Sequence, residues 1–171
     1  QQAHNRAKRI LFEELKKYIG VQLDEATMTL GFARRAATYK RAGFLFSNIN
    51  HLKRIARTIG PLQIVYGGKA HPRDEAGKAL IRQVFEAARA LRNEPIRVVY
   101  IPNYDWRWGQ LMTSGVDLWL NTPQRPYEAS GTSGMKAALN GVPSLSVPAG
   151  WWLEGHVEGE TGWDIGQSAG I

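Results

Sequence analysis

Apolar residues recur at helical spacing within 5–19, at Ile10, Leu11, Leu15, Tyr18 and Ile19. This predicts an amphipathic helix that stops at Gly20. A short apolar run at 27–32 predicts a strand ending at Ala33-Arg34-Arg35. The pattern over 39–59 predicts one long amphipathic helix, closed by Gly60-Pro61. The run 62–66 predicts a buried strand leading into Gly67-Gly68-Lys69. The alternation then repeats: a helix over 74–91, a strand over 96–101, a short helix near 106–114 and a strand over 116–120. A helix starting at Thr132 or Ser133 and stopping at Gly141 follows, then a strand over 144–147.

Short apolar strands alternating with helices predict the α/β class. The expected fold is a doubly wound, mostly parallel, Rossmann-like sheet with helices on both faces and right-handed crossovers. No repeat or low-complexity tract interrupts the chain, so residues 1–171 read as a single domain. In open sheets of this kind ligands bind beyond the carboxyl ends of the strands. Those ends carry Arg34, Arg35, Tyr39, Lys40 and Arg41 after the first strand and Gly67 to Pro72 after the second. Asn103, Tyr104 and Asp105 follow the third, and the loop to Glu128, Ala129, Ser130, Gly131 and Thr132 follows the fourth. Cations, glycines, hydroxyls and a carboxylate on one edge suit a phosphorylated ligand with sugar hydroxyls nearby.

Composition narrows this picture. Hydrophobic residues make up 43% and charged residues 22% of the chain, an ordinary globular balance. The net charge of +7 favours anionic partners. The cations are dispersed on helix faces, and no nucleic-acid motif accompanies them, so no nucleic-acid partner is expected. The chain has no cysteine, which removes disulfides, thiolate metal sites and cysteine nucleophiles. No apolar run is long enough to span a bilayer and no signal-peptide pattern is evident, so no membrane partner is expected. His71 and His156 lack paired ligand spacing, and no metal site is expected. Trp106 and Trp108 read as packing residues. Trp151 and Trp152 divide about evenly between packing and stacking on sugar. The chain opens without Met, which suggests part of a longer protein.

The run Ser130-Gly131-Thr132-Ser133-Gly134 feeds a predicted helix. Unpaired N–H groups at a helix start make an anion site, and glycines let a ligand approach the backbone. The same run is equally a plain loop with Thr132 or Ser133 as the helix cap. It matches neither GxGxxG nor the Walker spacing. Lys136 lies one turn inside. A lysine there can form a Schiff base with an aldehyde cofactor, or simply face solvent.

Residues 128–140, EASGTSGMKAALN, resemble the cofactor-lysine signature of the α-glucan (glycogen, starch and maltodextrin) phosphorylases throughout its length. A second element is similar at Arg35-Ala-Ala-Thr-Tyr39-Lys40-Arg41, and a third at Gly67-Gly68-Lys69-Ala70. Their order matches the family, and the wording around them is most similar to its compact bacterial and archaeal branch. The resemblance implies the pyridoxal 5'-phosphate-binding, C-terminal half of a GT-B glycosyltransferase fold, with an N-terminal domain supplying the other half of the cleft.

Carried over by resemblance, Lys136 holds pyridoxal 5'-phosphate, with Arg34, Tyr104, Gly131, Thr132, Ser133 and Gly134 as further cofactor contacts. Arg35 and Lys40 bind the substrate phosphate and act with Lys136 in catalysis. Glu128 and Ser130 meet the sugar. Arg34 stands where animal relatives have lysine, Ala37 where they have histidine, and Ser133-Gly134 where they have Gly-Asn. The implied reaction is phosphorolysis of an α-1,4-glucan or maltodextrin to glucose 1-phosphate by a cytoplasmic enzyme, with a homo-oligomer possible. Two other readings stand beside it: a nucleotide-sugar glucosyltransferase of the same fold, and a non-catalytic phosphate- or glucan-binding domain. The transferases often carry a second glutamate eight residues after a first. Here that position is Lys136, which cannot accept ribose hydrogen bonds.

Overall fold

Strand residues of alternating parity face two separate apolar layers, and that alternation builds the molecule. The structure is a computed structural model and describes residues 1–166. Its strands are β1 (Met28–Ala33), β2 (Leu62–Gly67), β3 (Ile96–Ile101), β4 (Leu118–Asn121), β5 (Ser144–Ser146) and β6 (Gly162–Asp164). They form one sheet in the order β3-β2-β1-β4-β5-β6, every neighbouring pair parallel. The helices are α1 (Gln2–Ile19), α2 (Ile49–Thr58), α3 (Glu75–Ala90), α4 (Trp106–Gly115), α5 (Thr132–Leu139) and α6 (Trp152–Gly155).

Ala33, Val65, Val99, Ile101 and Trp119 face one way, where Leu11, Phe12 and Leu15 of α1, Trp108 and Met112 of α4 and Ala137 of α5 cover them. Leu30, Phe32, Ile64, Tyr66, Ile96, Leu118 and Leu120 face the other way, against Leu52 and Ala56 of α2 and Val84 of α3. The expected doubly wound α/β sheet is therefore present, and burial of both faces explains its near-continuous apolar strands.

Helix α1 is also pinned at the amino ends of the strands. The Lys8 ammonium, 5% exposed, donates to Asp117 Oδ2 at 2.7 Å and to the Thr27 carbonyl at 2.8 Å. Asp117 also accepts from the Thr29 amide at 2.7 Å and pairs with His4 at 2.9 Å. Burial works to raise the Asp117 pKa, but the hydrogen bonds from Lys8, His4 and Thr29 outweigh it and hold the carboxyl low.

The predicted helix over 39–59 is broken. Two 3-10 turns, Thr38–Lys40 and Phe44–Phe46, precede α2. Arg41 adopts a left-handed φ of 49°, and its guanidinium donates to the Thr122 carbonyl at 2.9 Å and the Pro123 carbonyl at 3.1 Å. Helix α2 starts only where Asn48 accepts from the His51 amide at 3.0 Å. These ties hold Lys40 beside the loop after β4, where a continuous helix would have carried it away. Among the described residues, no helix is long and apolar enough to cross a membrane.

Candidate active site

The chain winds outward from β1 to β3 and then returns to lay β4 on the other side of β1. Connections beyond β1 and β4 thus diverge to opposite faces, leaving a crevice at this switch point. Arg34 follows β1 directly and Glu128 lies in the loop after β4. Their side chains meet across the crevice in a two-pronged pair, with both guanidinium nitrogens at 3.1 Å from the carboxylate oxygens. Lys40 donates to the same carboxylate. The three side chains are 5%, 2% and 15% exposed for Arg34, Glu128 and Lys40, so this is a desolvated ion cluster. Burial works to raise the Glu128 pKa, but hydrogen bonds from Lys40 and Arg34 prevail and keep the carboxyl below its ordinary value of 4.5. Arg35 is exposed, with no ion pair among the described residues.

This cluster forms one wall of an open depression of about 320 Å³, lined also by Arg35, Tyr39, Ser130, Gly131, Thr132 and Ser133. The helix expected to start with a Thr132 or Ser133 cap starts instead after Gly131, which sits in the left-handed region at φ 82° and supplies no capping side chain. Glycine tolerates that φ without strain, and the tight turn leaves the Thr132 and Ser133 amides at the helix start. A methyl group on Gly131 would also lie 3.0 Å from Glu128 Oε1.

Lys136, one turn further along α5, opens into a second depression of about 570 Å³, with Tyr104, Asp105, Trp106, Gly109, Gln110, Leu139 and Asn140. Ser133 lines both. The Lys136 ammonium is exposed and has no side-chain partner among the described residues. Tyr104 forms a fixed wall here: a methyl on Gly67 would come within 2.5 Å of its ring. Burial, with a smaller contribution from the Asp105 charge, pushes its phenol up to about 12, so it stays a neutral donor.

Residues 1–156 match the family model described as carbohydrate phosphorylase. The chain belongs to the carbohydrate phosphorylase family. It is 45% identical over 181 residues to the maltodextrin phosphorylase of Thermococcus litoralis, covering 98% of this chain and 22% of that protein. It is 44% identical over 151 residues to the glycogen phosphorylase of Aquifex aeolicus, covering 86% of this chain and 21% of that protein. The glycogen phosphorylase of Mycobacterium tuberculosis is 43% identical over 155 residues, covering 90% of this chain and 18% of that protein. The chain thus spans about a fifth of the length of these phosphorylase relatives.

Within this family member, the site residues expected from the sequence divide between two adjoining depressions. Arg34, Arg35, Lys40, Glu128, Ser130, Gly131 and Thr132 gather in one, Tyr104 and Lys136 in the other, and Ser133 belongs to both. Gly134 is buried in the first turn of α5. The sequence reading missed three features. Glu128 binds Arg34 and Lys40 directly, a contact no local spacing announces. Trp106 does not pack: it is 81% exposed at the start of α4, and Leu139 at 87% faces the same depression. Trp108 is 8% exposed and does pack, and Trp152, at 1%, is a core residue. Trp151 lies against α5, a placement its neighbour Gly155 could have suggested by leaving room for a ring.

Proposed function

We propose that this chain is the single cofactor-bearing domain, the C-terminal half of a GT-B fold, of a cytoplasmic enzyme that cleaves α-1,4-glucans or maltodextrins with inorganic phosphate, releasing glucose 1-phosphate. Its cofactor is pyridoxal 5'-phosphate, and the rest of the cleft is supplied by the remainder of the polypeptide. The observation that carries this reading is the setting of Lys136: a free amine one turn inside α5, beside the cation-lined depression at the switch point. The residues fit the cofactor in kind. The amine is unpaired among the described residues, Gly131 and Gly134 bring no side chain to the helix start, and Tyr104 offers a neutral ring and hydroxyl.

In this reading Lys136 holds the cofactor, and the amides at Gly131, Thr132 and Ser133 take its phosphate, with Gly134 keeping the helix start clear of side chains and Arg34 adding charge. Bound there, the cofactor would supply a phosphate able to donate and accept a proton beside the inorganic phosphate. Arg35 and Lys40 hold the inorganic phosphate against it. Two phosphates in contact repel, so these cations must neutralise them, and they do so most effectively where water is displaced. Glu128 and Ser130 receive the sugar hydroxyls and orient the terminal glucose. The relatives are named for maltodextrin and glycogen, and both substrates come to this chain as part of the same proposal.

The test uses the intact polypeptide carrying this chain. Borohydride reduction after incubation with pyridoxal 5'-phosphate should fix the cofactor on Lys136, identified by peptide mass, and Lys136→Ala should take up none covalently. Phosphate-dependent release of glucose 1-phosphate from maltodextrin should follow. A protein that instead transfers glucose from a nucleotide sugar, or binds glucan and phosphate without turnover, refutes the reading.

A further inference from the structure

The segment after β5 folds back over the signature loop. The Trp151 amide donates to the Ser130 carbonyl at 2.9 Å, which brings the indole onto the first turn of α5. A methyl group built on Gly134 would lie 2.9 Å from Trp151 Nε1, and one on Gly131 would lie 3.5 Å from Cδ1. On its other side the ring rests on Gly155, where a methyl would come within 2.1 Å of Cζ3. The ring therefore fills the gap between two backbones, and Gly134 and Gly155 are the positions that admit it.

The far end of this clamp is rigid. Trp151 meets Trp152 edge-on, with centroids 5.7 Å apart and planes at 77°. The Trp152 indole, 1% exposed, donates to Asp164 Oδ1 at 2.7 Å and lies against the His156 ring, tilted 36° with centroids 5.0 Å apart. The near end needs support. Helix α5 has no side-chain cap, and its first turn is closed by the Gly134 amide bonding to the Gly131 carbonyl at 3.1 Å.

We propose that Trp151 is a positioning residue for phosphate recognition: wedged against Gly131 and Gly134, it fixes the first turn of α5 so that the Thr132 and Ser133 amides face the phosphate of the cofactor. The inference rests on the phosphorylase reading and adds to it a residue outside the signature. It also explains two features of the chain together. A larger residue at position 134 would collide with the ring, and one at 155 would leave the ring nowhere to rest.

A loose first turn should weaken the grip on the phosphate and leave Lys136 free to react. The discriminating measurement is therefore a pair of affinities on the intact polypeptide, for pyridoxal 5'-phosphate and for pyridoxal, which lacks the phosphate. Trp151→Ala should weaken pyridoxal 5'-phosphate about tenfold and pyridoxal by less than about twofold, the scale expected for a disturbed helix N-terminus. Trp151→Phe, which keeps a ring in the gap, should restore most of the preference. Trp151→Leu carries the same comparison if the alanine variant does not fold. Gly134→Ala should weaken the phosphate form in the wild type and much less in the Trp151→Ala background, where the methyl has room. Equal weakening of both ligands, or additive losses in the double variant, would overturn the inference while sparing the cofactor reading. A wild type that takes up neither ligand would sink both.

Discussion

Replacing Glu128 with glutamine removes one charge from the ion cluster and almost no volume, so its consequence can be worked from geometry. The carboxylate is 2% exposed and holds two cations, Arg34 in a two-pronged pair and Lys40. Near hydrogen-bond distance and at an effective dielectric of about 20, each attraction is worth about 4 kcal/mol. Desolvation of the three groups cancels much of this, and removing one partner of a buried pair typically costs about 3–5 kcal/mol. Glutamine keeps one acceptor oxygen but turns an N–H donor toward other donors. We expect Glu128→Gln to lower unfolding stability by about 3 kcal/mol, read by urea denaturation at neutral pH. The deficit should depend on acidity with a definite sign. Glu128 has a folded pKa below 4.5, so its contribution is fully present above 4.5 and is lost as pH falls through the folded pKa. The gap between wild type and variant should close in acid. Added inorganic phosphate supplies a second signature. On the proposed reading, inorganic phosphate competes with Glu128 for Lys40 in the wild type, and in the variant that cation stands uncompensated. Saturating phosphate, which adds about 2.7 kcal/mol at a hundredfold excess over Kd, should therefore stabilise the variant at lower concentration than the wild type. A stability loss under about 1 kcal/mol, or weaker phosphate binding by the variant, would refute the reasoning. The second result would mean that Glu128 organises the cations and does not compete for them.

Asp117→Asn should cost about 3 kcal/mol by urea denaturation, because it leaves the nearly buried Lys8 ammonium without its counter-charge. Asp117 has a depressed pKa, so the wild-type advantage should also fade as pH falls through it. Gly67→Ala should displace the Tyr104 ring, lower stability by about 1–3 kcal/mol and weaken uptake of both pyridoxal and its phosphate, measured by thermal unfolding and absorbance titration. Asn48→Ala should cost about 1 kcal/mol by removing the cap of α2 and leave cofactor uptake unchanged, since α2 covers the opposite face from α5.

How much of this was legible depended on range. Helix α3 and strand β3 are periodic from end to end, and their positions follow from the chain alone: 74–91 against Glu75–Ala90 with Asp74 as its cap, and Ile96–Ile101 at both ends. The tract 39–59 carries the same helical period but is overruled by the bonds of Arg41 to carbonyls 81 and 82 residues away. Strand β6 was not expected: over Gly162–Asp164 the one large apolar residue is Trp163, so no apolar run marks it. The break at Gly131 was visible as a glycine, yet its left-handed φ takes the cap from Thr132 and Ser133, residues whose side chains favour that role.

The site shows the same division more sharply. Strand order decides that β1 and β4 are neighbours, and only then do Arg34 and Glu128, 94 residues apart, face each other. Nothing in the spacing of charges distinguishes these two from any other arginine and glutamate. The strand-end rule brings them to one edge, and the switch point makes that edge a crevice narrow enough to bury them. Lys136 is the converse case. Its helix was legible but its importance was not, because an exposed lysine at helical spacing is the commonest of surface features. Resemblance of the surrounding signature is what singled it out, and α5 follows the loop that leaves β4 at the switch point. Ser133, in the first turn, lines both depressions, so Lys136 one turn on opens beside the depression that Arg34, Arg35 and Lys40 line.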